Sequence, residues 1–123
     1  MSRIYVNRSD RISDYMTKVK HIEDFEDFGA HGTPDELIYE GTSGEETTLT
    51  VKEFAQTLRD DPLFGGGNIR LLACHTGAQK NVFAQQLANE LGVAVRAPNE
   101  VLWLNEEGII RAFLSILYEN NLC

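Results

Sequence analysis

A chain of 123 residues with 42% apolar content has the size of one globular domain with one core, and leaves little chain for a second. Its formal charge of −8, from 11 Lys and Arg against 19 Asp and Glu, argues against nucleic acid as a partner, because phosphate-backbone binders need a basic stripe to release counterions. No apolar run reaches the roughly 18 to 20 residues that span a bilayer, and the amino terminus MSRIYVNRSDR lacks the apolar centre of a signal peptide. The two cysteines, Cys74 and Cys123, make no disulfide framework, so a soluble chain in a reducing interior is the simpler expectation. A domain cut from a larger exported protein would read the same way.

In chain order, Arg3 to Asn7 alternates as an edge strand or tail. Ile12, Tyr15, Met16 and Val19 recur at helical spacing behind the candidate caps Ser9 and Asp10, which predicts a first helix to Lys20. Residues 1–20 thus make a peripheral helix or tail to the single domain of residues 1–123. The next stretch is ambiguous. Ile22, Phe25 and Phe28 fit a helix, whereas Gly29-Ala30-His31-Gly32 suits a strand emptying into a loop, and Asp24, Glu26 and Asp27 are poor guests in a buried strand. A strand over Phe25 to Ala30 is preferred, partly on the resemblance given below, with the acidic run Glu23 to Asp27 assigned to a solvated face.

Thr33-Pro34-Asp35 is turn chemistry, Glu36 to Glu40 reads as a strand ended by Gly41, and Thr42 to Thr48 as an exposed loop. Thr50 and Glu53 form a capping box for a helix with Val51, Phe54, Ala55 and Leu58 facing inward, stopped by Asp60-Asp61-Pro62. After the turn Gly65-Gly66-Gly67, the apolar run Ile69, Leu71, Leu72, Ala73 predicts a buried strand of a mostly parallel sheet, emptying into Cys74-His75-Thr76-Gly77. Val82, Phe83, Leu87 and Leu91 predict a helix closed by Gly92, and Val93-Ala94-Val95 another strand running into Arg96 to Asn99. VLWLN and IIRAF around Glu106-Glu107-Gly108 predict a hairpin, with Trp103 and Phe113 in the core; Leu114 to Tyr118 is a last helical turn or an extension of that hairpin. Strands alternating with helices favour an α/β three-layer sandwich around a mostly parallel sheet.

In such sheets ligands collect at the carboxyl ends of strands, where Cys74 and His75 fall. A thiol is activated by a nearby histidine or a helix amino terminus, and Cys74 stands before a predicted helix. Of His21, His31 and His75, the last adjoins Cys74, but neighbouring side chains leave a strand end in different directions. His31 ends the preceding strand, and a parallel pairing across the crossover helix would bring it to the same rim as Cys74. On composition alone a solitary cysteine is more often a small buried hydrophobe, and a histidine beside a glycine a loop residue. The three glycines precede a strand and lack the lysine of a phosphate cradle, and Cys74-His75 has no companion pair at metal-ligand spacing. No cofactor and no metal are called for.

A strand ending in His-Gly (His31-Gly32), a crossover helix, then an apolar strand ending in Ala-Cys (Ala73-Cys74) resembles the caspase, legumain and gingipain group of cysteine peptidases. It also resembles the autoprocessing cysteine protease domains of large bacterial toxins. ACHTG followed by FAQQLANELGVAVRAPNEVLW is more similar to small carboxyl-terminal domains of bacterial polymorphic toxins of the Rhs type, the likeness covering about Phe25 to Arg111. The resemblance implies a caspase-like fold and a peptide or protein substrate. Cys74 is then the nucleophile, His31 the general base or acid, and the amides of Gly32 and Cys74 the oxyanion site. Thr33, Asp35, His75 and Thr76 line the cleft, with Arg96 touching a substrate side chain or carboxylate. An immunity or inhibitor protein is implied as a partner, and delivery into a target cell as an alternative to a cytoplasmic life. The chain is much shorter than a caspase, and it lacks the basic patch of toxin domains that sense inositol phosphate. A non-catalytic relative that binds a partner, or another cysteine chemistry such as deamidation, stays open.

Overall fold

The computed structural model describes residues 3–4, 11–40, 45–74, 76–77, 83–99, 103–111 and 114–117. Its elements are β1 (Arg3–Ile4), α1 (Arg11–Thr17), β2 (Phe25–Gly29), β3 (His31–Gly32), β4 (Leu37–Glu40), β5 (Glu46–Leu49) and α2 (Val51–Asp60). Then follow β6 (Asn68–Leu72), α3 (Phe83–Leu91), β7 (Val95–Pro98), β8 (Trp103–Leu104), β9 (Ile110–Arg111) and β10 (Leu114–Leu117). The principal sheet has the order β1-β2-β6-β7-β10, in which the first four strands are parallel and β10 runs against them. The α/β class and the mostly parallel sheet are therefore as read from the sequence. β3, β4 and β5 make a separate antiparallel sheet, and β8 with β9 the predicted hairpin.

Period-two alternation sorts the side chains of the sheet. Phe28, Ile69, Leu71, Ala73, Val95 and Ala97 point to one face, where Phe54, Leu58, Phe83 and Leu87 of α2 and α3 cover them. Phe54 stands edge-on to Phe28 at 5.7 Å between ring centres, and full burial of each such side chain contributes about 1.5–3 kcal/mol. On the other face Leu72 meets Met16 from α1 and Val19 from the turn after it, with Leu104 and Ile110 of the hairpin packed against them.

Several expectations change. The segment assigned to an exposed loop ends in the first three residues of β5; Glu46, Thr47 and Thr48 are exposed, but they pair with β4 along a sheet edge. The strand predicted at 93–95 lies at Val95–Pro98, because it registers Val95 against Ile69 of β6. Leu114–Leu117 neither winds a helical turn nor extends the hairpin; it returns to pair with β7. Trp103, expected in the core, is 67% exposed. Ser9, Asp10, Gly41, Thr42, Val82, Phe113 and Tyr118 lie outside the described residues.

The largest correction concerns Asp27. Far from lying on a solvated face, it is 2% exposed and pairs with Arg70, itself 5% exposed, through Nε to Oδ1 at 2.7 Å and Nη2 to Oδ2 at 2.6 Å. The parallel register sets the two residues side by side, and Nη2 also donates to the Lys20 carbonyl at 2.9 Å. An acid is tolerated in β2 because its neighbour strand brings a bidentate guanidinium.

The capping box is present as predicted: Glu53 N donates to Thr50 Oγ1 at 3.3 Å, and Thr50 N to Glu53 Oε1 at 3.0 Å. These bonds hold the Glu53 carboxyl below its ordinary value of 4.5. The folded value being the lower one, the contribution is full above the ordinary value and fades as pH falls through the folded one. Thr50→Ala should lower the unfolding free energy by about 1 kcal/mol in urea denaturation. The stability gap between the wild type and Glu53→Gln should close as the solution is acidified below pH 4.5.

Candidate functional site

β2 and β6 pair from Phe25↔Asn68 to Gly29↔Leu72, and Ala30 N adds one bond to the Leu72 carbonyl at 3.2 Å. There the parallel ladder ends. His31 and Cys74 each follow the last registered pair, Gly29↔Leu72, by two residues, beyond the strand ends that the crossover through α2 brings side by side. At that point the first chain swings into β3 and pairs with β4, His31 opposite Ile38 and Gly32 opposite Leu37. Both His31 and Cys74 are half-buried.

The two segments touch through Gly32. A Cβ built there would stand 2.9 Å from the Cys74 carbonyl oxygen, 2.9 Å from Thr76 Cγ2 and 3.0 Å from the Ala73 Cβ, so only glycine lets the backbones approach this closely. The cysteine loop is pinned on its other sides as well. Thr76 Oγ1 donates to the Ala73 carbonyl at 2.9 Å, Gly77 N donates to the Pro98 carbonyl at 2.8 Å, and a Cβ at Gly77 would lie 2.7 Å from the Ala97 oxygen. Ala84 N, in the first turn of α3, donates to the Thr76 carbonyl at 2.9 Å, and Phe83 N to the Pro34 carbonyl at 2.8 Å. Histidine turn, cysteine loop, α3 and β7 are thus one bonded assembly.

These placements revise the roles read from the sequence. Thr76, expected to line the cleft, is fully buried, and its hydroxyl closes the loop. Thr33 Oγ1 accepts from the Asp35 and Glu36 amides at 3.2 and 3.1 Å, so this hydroxyl closes the turn after β3. Asp35 is exposed in that turn. His75 lies outside the described residues. Arg96 is not at a strand end: it is the second residue of β7, registered against Arg70, and its Nε is buried with no partner among the described residues.

What sequence reading missed is the wall beside the cysteine. Cys74 packs against the cluster of Met16, Val19 and Leu72 together with Leu104 and Ile110. The apolar stripe of α1 was legible, but nothing local to it names the strand end it covers. Gly29 fits this wall, since a Cβ there would meet Met16 Sδ at 2.5 Å. Among the described residues no group of three or more His, Cys, Asp or Glu is arranged to hold a metal ion. No helix among them is long and apolar enough to cross a membrane.

A family model described as Domain of unknown function (DUF8616) matches residues 2–112. No curated protein and no solved structure matches the chain.

Proposed function

For this chain, which belongs to the family described as Domain of unknown function (DUF8616), we propose a cysteine-dependent hydrolase of caspase-like, three-layer architecture, acting on a peptide or another acyl bond. The observation that carries this reading is the close approach of Gly32, the residue after His31, to the Cys74 carbonyl, where a Cβ would find no room, just beyond the end of the parallel β2–β6 pair. In the proposed reaction the Cys74 sulfur attacks the carbonyl carbon and the amides of Gly32 and Cys74 receive the developing oxyanion. His31 takes the thiol proton as the sulfur attacks and delivers it to the amine as the carbon–nitrogen bond breaks; it then takes a proton from the water that attacks the thioester and returns it to the sulfur as the acid leaves. No cofactor enters. The likeness to Rhs-type and autoprocessing toxin domains adds the proposal that the domain is an effector or processing module, cytoplasmic or delivered into a target cell, with an immunity or inhibitor protein as partner.

The test is the rate of iodoacetamide alkylation at Cys74 against pH, read by mass spectrometry, with Cys123 as internal control. Cys74 should outpace Cys123 near neutral pH, and the lead should fall in His31→Ala. A Cys74 that stays inert until the protein unfolds overturns the reading.

A second reading draws on the packing of Cys74 against Met16, Val19 and Leu72. There the cysteine is a structural thiol of a module that binds a partner at the same rim. Under it Cys74→Ser folds and binds as the wild type does, whereas a hydrolase loses its turnover. Product masses distinguish peptide cleavage from deamidation of glutamine.

A further inference from the structure

A row of charged residues crosses the middle of the principal sheet on the face that α1 covers. The register sets Asp27 of β2 beside Arg70 of β6, Arg70 beside Arg96 of β7, and Arg96 beside Ile116 of β10. Alternation puts Arg96 on this face, since Val95 and Ala97 belong to the core on the other. Both oxygens of Asp27 are taken by Arg70, so these four residues hold one cation more than they can pair.

That cation is Arg96. Its Nε is buried, and no group among the described residues accepts from it. The ion pairs among those residues join Lys18 to Asp14, Arg59 to Glu90 and Arg70 to Asp27, and none includes Arg96. Register and alternation also set Asn68, Leu72 and Pro98 around it on this face, and none of the three is acidic. Asn68 Oδ1 is engaged, accepting from Ala94 N at 3.1 Å, and the Lys20 carbonyl accepts from Arg70. A donor of a charged group that is taken out of water without an acceptor is costly, and an incoming acceptor removes that cost.

The cover over the row thins along it. Arg70 is 5% exposed, Arg96 is half-buried and Ile116 is 41% exposed, so a small solute has a way to Arg96 from the β10 side. Arg70 shows what suits such a position: the side-on edge of its guanidinium, Nε with Nη2, holds a carboxylate at 2.7 and 2.6 Å. We propose that Arg96 anchors a binding site for a small carboxylate ligand, taken side-on through Nε as Asp27 is taken by Arg70. One carboxylate balances the one unpaired cation, whereas a phosphate dianion overcompensates it and loses more hydration on entering. The chain's charge of −8 repels anions at long range, so affinity comes from the contact and not from steering. The proposal does not rest on the chemistry proposed for Cys74.

Arginine Nε–H groups give their own peaks in proton–nitrogen correlation spectra, and Arg96→Lys and Arg59→Lys assign those of Arg96 and of the exposed Arg59. The full chain is titrated with sodium acetate, and in parallel with sodium chloride and sodium phosphate at matched ionic strength. Acetate should move the Arg96 peak along a saturable curve and several-fold further than the Arg59 peak, while chloride should leave both in place. Acetate should also raise the unfolding temperature of the wild type above that in matched chloride. Arg96→Lys keeps the charge but lacks the fork, and should lose that gain. The proposal is overturned if the Arg96 peak moves no further than that of Arg59, moves equally in chloride, or answers to phosphate and not to acetate. It is equally overturned if the shift fails to saturate, which would mark acetate as an adventitious additive only, or if the thermal gain persists in Arg96→Lys.

Discussion

Arg70→Met should lower the free energy of unfolding by about 3–5 kcal/mol, the usual cost of leaving one member of a buried ion pair without its partner. Asp27 would keep its 2% exposure and lose both guanidinium bonds, of 2.7 and 2.6 Å. The Lys20 carbonyl would lose its donor too, loosening the segment that follows α1 from the sheet. Replacing both partners, Asp27→Leu with Arg70→Met, should recover most of the loss, because the desolvation cost of the pair is large and an apolar pair of similar volume does not incur it. Urea denaturation with matched m-values measures all three variants. A single variant within about 1 kcal/mol of the wild type, or a double no better than the single, would show that the pair is not the closed unit described.

Gly108→Ala should cost about 3 kcal/mol in the same measurement, for two separable reasons. The φ of 78° is left-handed, which costs a residue with a side chain roughly 1–2 kcal/mol. The added Cβ would also lie 2.4 Å from the Lys18 carbonyl carbon and 2.7 Å from Val19 N, backbone atoms that yield only if the hairpin moves off α1, at a further ~1–3 kcal/mol. Gly66→Ala provides the control. Its φ is 77° but nothing lies within 4 Å of the added atom, so it should show the backbone cost alone. Equal losses for the two variants would mean that the hairpin is free to lift from α1.

The parts legible in the sequence are those whose signals are local. Thr50 and Glu53, three residues apart, announce α2, and its buried set of Val51, Phe54, Ala55 and Leu58 is the set its periodicity names. The apolar run of β6 likewise declares a strand held on both faces. The acid at Asp27 looked like an objection to a buried β2 because its answer, Arg70, is 43 residues away and belongs to no local period. The start of β5 reads as loop because an edge strand with Glu46, Thr47 and Thr48 in solvent carries no apolar alternation. VLWLN reads as apolar throughout, yet only the pairing of β8 with β9 decides that Leu104 turns in and Trp103 out. At the candidate site, chain order was enough to set β2 and β6, the strands that His31 and Cys74 follow, side by side and parallel. It did not reveal that Thr76 is spent on the Ala73 carbonyl or that Arg96 lies in mid-strand, since both follow from where neighbouring strands begin and end.

The parallel pairing of β2 with β6 has a kinetic consequence. The β4–β5 hairpin and α2 close short stretches of chain, whereas Asp27 and Arg70 meet only after the 43-residue separation between them is closed. Loop-closure entropy places that pairing among the slowest contacts to form. The His31-Gly32 turn and the Cys74 loop have no common position until it is made. A nascent or partly unfolded chain that has not made this pairing thus holds helices and a hairpin but does not bring the His31-Gly32 turn to the Cys74 loop, and whatever acts there waits on a long-range step of folding.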